Sequence, residues 1–118
     1  MVLYSNYIVL EHGIFSGYLE LENGKIKGLY DPWKGEYKDY SDKIIFPGFI
    51  DIHVHGWATG SFWFEKTPQS LREMCRTLPF AGVTSYLGTT GADHIEEIKN
   101  CIRAADEVSE ENPQGTQL

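Results

Sequence analysis

The first 47 residues combine short apolar–polar alternations with turn signals, the pattern of β-strands joined by tight connections. Asn23-Gly24 separates two such stretches and predicts a β-hairpin, because a type I′ turn needs positive φ at both central residues. Residues 31–42 contain a proline, a glycine and many charged and tyrosine side chains, which predicts an irregular connection with Trp33 as a packing anchor. The strands predicted in this region are 7–10, 18–22, 25–30 and 44–46.

Residues 48–118 change to strands alternating with helices, the pattern of parallel βα units. Thr67 before Pro68 predicts the start of the first helix, and Gly82 predicts its exit. Asp93 is predicted to cap the second helix, with Glu96 as its capping-box partner. The other predicted elements are a strand at 49–55, loops at 56–66 and 110–115, a strand at 83–87 and the start of a third strand at 116–118. The apolar helix faces are predicted to be Leu71, Met74, Cys75 and Leu78, then Ile95, Ile98, Ile102 and Ala105.

The strand at 49–55 carries two histidines, His53 and His55. Alternate residues of a strand point to the same face, so both imidazoles project together, with their Cα atoms roughly 6.6 Å apart. The strand is apolar and is predicted to be buried, where each imidazole needs partners for both ring nitrogens. A shared ion about 2.1 Å from each ring would provide one, which favours a divalent metal site over two satisfied core histidines. Asp51, on the same face, is either an acceptor for a histidine N–H or a polar residue that begins the strand.

Residues 47–56, with the sequence PGFIDIHVHG, closely resemble the first barrel strand of the amidohydrolase superfamily, metal-dependent hydrolases built on (β/α)8 barrels. Residues 80–90, after the first helix, are similar to N-acetylglucosamine-6-phosphate deacetylases. The resemblance implies an α/β protein in which residues 48–118 form the first two β/α units of an incomplete barrel. Residues 1–47 would be the amino-terminal part of a small β-sandwich. A complete barrel needs about 250 residues, so we expect this chain to be the amino-terminal portion of a longer enzyme.

The resemblance also implies an activity. A metal-activated water would hydrolyse the acetamido group of N-acetylglucosamine 6-phosphate to glucosamine 6-phosphate and acetate, in the cytoplasm. His53 and His55 would bind the divalent metal, which is zinc, iron or a similar ion. The general base and the remaining ligands would come from later strands, so the 118-residue chain is expected to be inactive by itself.

Two departures from the family pattern leave the substrate open. Gly88 stands where a proline commonly precedes the paired threonines Thr89 and Thr90, and the loop at 57–64 is unusually aromatic. The threonines and the aromatic side chains either contact substrate or serve only the local fold. The alternatives are another amidohydrolase, similar to dihydroorotases, hydantoinases or deaminases, and a non-catalytic binding or assembly module.

Composition excludes several classes of partner. The formal net charge is −7 and no basic cluster occurs, which argues against nucleic acid. No apolar run approaches the ~20 residues of a membrane helix. The two cysteines, Cys75 and Cys101, lack metal-finger spacing and are predicted to be free, buried thiols in a reducing compartment. Open sheet edges and apolar helix faces predict self-association or a homo-oligomer.

Overall fold

The computed structural model describes residues 1–111 and 115–118, and the chain divides into two compact units, Met1–Pro47 and Gly48–Leu118. The elements of the first unit are β1 (Val2–Leu10), β2 (Gly13–Glu22), β3 (Lys25–Tyr30), β4 (Lys38–Asp39) and β5 (Ile44–Ile45). Those of the second are β6 (Phe49–Val54), β7 (Gly56–Trp57), β8 (Gly60–Ser61), α1 (Pro68–Thr77), a 3₁₀ turn (Leu78–Ala81), β9 (Val83–Gly88) and α2 (Ile95–Glu111). The α/β prediction is confirmed. Among these described residues, neither helix is both long and apolar enough to cross a membrane.

The first unit is a five-stranded sheet centred on β1. β2 pairs antiparallel with both β1 and β3, whereas the two short strands β4 and β5 pair with β1 in parallel. The predicted hairpin is confirmed, because Asn23 and Gly24 join β2 to β3 with φ of 51° and 74°. Trp33 packs against Tyr30, with ring centroids 5.1 Å apart, as expected of an anchor in the irregular connection.

The second unit is built on the parallel pair β6 and β9. Gln117 lies parallel to β9 opposite Ser85, which confirms the predicted start of a third strand. α1 begins as predicted, with the Thr67 hydroxyl accepting a hydrogen bond from the Ser70 N–H at 3.3 Å. Both cysteines are free and buried, as predicted. The core of this unit contains Val54, Phe62, Leu71, Met74, Cys75, Leu78, Val83, Tyr86, Cys101, Ala104 and Val108.

The predicted apolar face of α2 is correct only in part, because Ala105 packs against the core but two of the predicted isoleucines do not. Ile95 and Ile102 are 65% and 58% exposed. Arg72 on α1 donates hydrogen bonds to both Glu107 and Glu111 of α2, an exposed ion pair between the two helices. The buried residues of α2 are Cys101, Ala104 and Val108.

The capping box predicted for α2 is wrong. Asp93 accepts hydrogen bonds from the His94 N–H at 2.8 Å and from the Lys66 ammonium at 2.7 Å. Lys66 also donates to Glu97 at 3.0 Å, and Glu96 pairs with Lys99 instead. The hydrogen bond from Lys66 holds the pKa of Asp93 below its usual range. Asp93 therefore binds the N–H of the next residue and the Lys66 ammonium, and Glu96 binds Lys99, so the two do not form the predicted reciprocal pair.

The end of α2 and the burial of β6 differ from the sequence analysis. α2 continues through residues 110–111 of the predicted 110–115 loop, and residues 112–114 of that loop lie outside the described residues. β6 was predicted to be buried, yet Phe49, Ile50 and Ile52 are 58%, 68% and 72% exposed, and only Val54 enters the core. Among the described residues β6 pairs with β9 alone, so most of its surface is uncovered.

Candidate metal centre

The structure brings His53 and His55 together at the carboxyl end of β6. Their Nε2 atoms lie 3.3 Å apart, with ring centroids at 5.0 Å and ring planes at 84°. Two nitrogens that each lie about 2.1 Å from one tetrahedral ion are roughly 3.4 Å apart. The pair therefore has the spacing that a shared metal requires. The same distance also permits a direct hydrogen bond, in which the N–H of one ring donates to the other.

The His55 ring is hydrogen-bonded to the backbone carbonyl of the residue that follows β9. Its Nδ1 lies 2.8 Å from the Thr89 carbonyl oxygen. A carbonyl oxygen can only accept, so the hydrogen bond places a proton on Nδ1 and leaves the lone pair on Nε2, which faces His53. Metal-binding histidines in proteins are commonly held in this way, with the second ring nitrogen donating to a carbonyl or carboxylate.

Thr89 is a site residue that sequence reasoning did not find in this role. Its hydroxyl donates to the Leu87 carbonyl at 3.3 Å, as a strand-end residue does. Its N–H donates to the Val54 carbonyl at 2.9 Å, which ties the end of β9 to the end of β6. The contact with His55 uses a main-chain oxygen, which every residue type has. Only the parallel pairing of the two predicted strands indicated that this oxygen lies near His55.

Asp51 has neither of the two roles as they were stated, because it is the third residue of β6 and the histidine N–H that it binds is a backbone group. Its Oδ1 accepts a hydrogen bond from the His53 backbone N–H at 3.0 Å. The carboxylate thus satisfies the backbone of the strand that carries the histidines. It fixes the main chain of His53, whereas the Thr89 carbonyl fixes the ring of His55.

The 56–66 loop folds back over His55. β7 and β8 form a two-residue ribbon within it, and the His55 carbonyl accepts hydrogen bonds from the Ser61 hydroxyl and the Trp63 N–H, both at 3.2 Å. The Trp63 ring centroid lies 5.2 Å from that of His55. Trp63 also stacks on Phe64 at 4.9 Å, with ring planes at 23°.

The aromatic residues of this loop differ in how deeply they are buried. Phe62 is buried and packs into the core of the second unit, whereas Trp57 and Phe64 are 42% and 75% exposed. A Cβ at Gly88 would lie 2.8 Å from the nearest atom of the Phe62 ring. Glycine is therefore required at position 88 by the phenylalanine that lies on it, which gives a structural reason for the departure from the family pattern.

Two imidazoles at this spacing are chemically able to bind one ion between them. Within residues 1–111 and 115–118, no group of three or more histidine, cysteine, aspartate or glutamate side chains could hold a metal ion. Two imidazoles alone leave further coordination positions for water or other ligands. Open positions of this kind distinguish catalytic from structural metal sites.

Comparison with known proteins identifies the relatives of this chain. A curated protein of Bacillus subtilis strain 168, N-acetylglucosamine-6-phosphate deacetylase, is 37% identical over 60 residues, which are 51% of this chain and 15% of that protein. The crystal structure of N-acetylglucosamine-6-phosphate deacetylase from Thermotoga maritima is 31% identical and matches 99% of this chain with a TM-score of 0.77.

The resemblance predicted from the sequence is confirmed. Both the curated relative and the solved structures to which this chain is similar are N-acetylglucosamine-6-phosphate deacetylases. The deacetylase from Pasteurella multocida, 22% identical, shares the fold over 100% of this chain with a TM-score of 0.84. The chain spans 30% of the length of the Thermotoga deacetylase and 33% of that from Pasteurella. No family model matches the chain.

Proposed function

We propose that this chain provides two metal ligands, His53 and His55, of an N-acetylglucosamine-6-phosphate deacetylase. The observation that carries the proposal is the convergence of the two Nε2 atoms, 3.3 Å apart, with the Nδ1 of His55 donating to Thr89. The similarity to the Bacillus and Thermotoga deacetylases supplies the reaction and the substrate class. The small-molecule partner is thus an amino-sugar phosphate.

The placement of the pair supports this chemistry. β6 and β9 run parallel, and both histidines, Thr89 and Thr90 lie at or beyond the carboxyl ends of these strands. In (β/α)8 barrels this end carries the active site, so we take the second unit as the first two β/α units of such a barrel. A divalent metal, when bound, supplies a Lewis acid and an acidified water for attack on the acetamido carbonyl. Imidazole ligands suit zinc, iron and nickel alike.

In the proposed reaction, the residues of this chain bind the metal and orient its two histidine ligands. None of them transfers a proton. Thr89 holds the His55 ring, and Asp51 holds the main chain of His53. We propose that the general base and the remaining ligands lie outside residues 1–118. The described residues form no three-ligand metal group, and the chain spans 30% of the Thermotoga deacetylase.

Self-association of the chain is a second part of the proposal. Ile50, Ile52 and Leu87 on the paired strands are each at least 60% exposed, and Phe80 in the 3₁₀ turn before β9 is 88% exposed. Exposed apolar groups on open strands favour contact with a second copy or with another protein surface. The isolated chain is thus proposed to form oligomers as its concentration rises.

An acetate-release assay tests the proposed reaction. In the full-length protein we expect hydrolysis of N-acetylglucosamine 6-phosphate, and no hydrolysis of dihydroorotate or hydantoin under the same conditions. The 118-residue chain alone is expected to give no turnover. Turnover by that chain would contradict the placement of the general base, and hydrolysis of dihydroorotate or hydantoin in place of the sugar phosphate would favour the alternative amidohydrolases.

A further inference from the structure

Trp63 contacts His55 through both its ring and its backbone. The indole lies 5.2 Å from the His55 ring, centroid to centroid, at an angle of 48°. The Trp63 N–H also donates to the His55 carbonyl at 3.2 Å. The ring that borders the proposed ligand is thus anchored to the same residue by a main-chain hydrogen bond.

The indole has little freedom to leave this position. A Cβ at Gly91 would lie 2.1 Å from Cζ2 and 2.2 Å from Cε2 of Trp63, so the ring lies directly on the Gly91 backbone. Phe64 stacks on the indole at 4.9 Å. Trp63 is half-buried, as is His55. These contacts make the indole a fixed surface, and His55 packs against it.

We propose that Trp63 is a positioning residue for His55. Its indole holds the imidazole in the orientation in which Nδ1 donates to Thr89 and Nε2 faces His53. A single hydrogen bond to the Thr89 carbonyl leaves the imidazole free to tilt about that bond. The indole removes this freedom and limits the access of water to the ring. The effect of Trp63 on the orientation of the His55 ring does not rest on the proposed function. Its effect on metal affinity does rest on that function.

Metal affinity gives the first readout. With Co²⁺ as the probe in calorimetric titrations, Trp63→Ala is expected to bind about 10–100-fold more weakly than wild type, the usual cost of losing an outer-shell partner. Trp63→Phe keeps an aromatic ring and is expected to recover most of the affinity. Trp57→Ala is the matched control, because Trp57 is on the same loop and 42% exposed. If wild type binds Co²⁺, equal affinities for Trp63→Ala and wild type, or an equal loss in Trp57→Ala, would overturn the proposal.

The ring orientation gives a second readout that needs no metal. Long-range ¹⁵N–¹H correlation spectra of the metal-free protein report which nitrogen of His55 carries the proton. We expect Nδ1–H in wild type and in Trp63→Phe, and a mixture of tautomers in Trp63→Ala. If the alanine variant does not fold, Trp63→Leu keeps the apolar bulk without the ring and is expected to show the same mixture.

The two readouts separate failure of this inference from failure of the proposed function. Wild-type protein that binds no Co²⁺ but shows the Nδ1–H tautomer, lost in Trp63→Ala, would refute the metal site and support the positioning role. An unchanged Nδ1–H tautomer in both Trp63→Ala and Trp63→Leu would refute the positioning role, whatever the metal affinity.

Discussion

Replacing His55 by alanine is expected to weaken Zn²⁺ or Co²⁺ binding by more than the ~10–100-fold that removal of an outer-shell partner costs. The substitution deletes one of two converging nitrogens and leaves the Thr89 carbonyl without its donor. His53→Ala is expected to give a loss of similar size, because the two Nε2 atoms bind the same ion in this account. Titration calorimetry with each metal measures both losses.

Two other histidines provide controls for this experiment. His12 and His94 are both exposed, His12 in the first unit and His94 just before α2. Their alanine variants are expected to bind metal as tightly as wild type. A comparable loss in His94→Ala, or wild-type affinity in His55→Ala, would place the metal somewhere other than the end of β6.

Gly88→Ala is expected to lower the free energy of unfolding by about 1–3 kcal/mol, the typical cost of overpacking a core. The added methyl group would lie 2.8 Å from the Phe62 ring, and Phe62 is only 5% exposed. The Phe62 ring belongs to the core of the second unit, so a shift of the ring changes its contacts there. Urea unfolding of the variant and of wild type measures the difference.

A double-mutant cycle shows whether Phe62 is the cause of that cost. In a Phe62→Leu background the side chain at position 62 is smaller, so Gly88→Ala is expected to cost less than in wild type. An identical cost in both backgrounds would mean that backbone conformation, and not the phenylalanine, requires glycine at position 88. The cycle thus tests the structural reason given for the departure from the family pattern.

Local sequence rules predicted the features that depend on neighbours in the chain. The Asn23-Gly24 hairpin and the Thr67 cap follow from backbone preferences and short side-chain hydrogen bonds. The joint projection of His53 and His55 follows from the period of a strand. Each of these three features can be predicted without knowing which other parts of the chain pack against that strand or helix.

Features that depend on distant partners could not be predicted in the same way. α2 buries Cys101, Ala104 and Val108 in a core that it shares with α1 and β9, whose residues are distant in sequence. Ile52 is exposed because no other element covers its side of β6 among the described residues. The apolar character of isoleucine does not predict whether such a cover is present. Backbone oxygens carry no residue-type signal, so the role of Thr89 became visible only with the strand pairing.

The position of a bound metal tests the account most directly. Anomalous diffraction from crystals grown with Zn²⁺ is expected to show one peak about 2.1 Å from the Nε2 atoms of both His53 and His55. The Nδ1 of His55 should keep its hydrogen bond to Thr89 in those crystals. A peak bound through Nδ1, a peak at one imidazole only, or two histidines joined by a hydrogen bond with no metal would contradict the account.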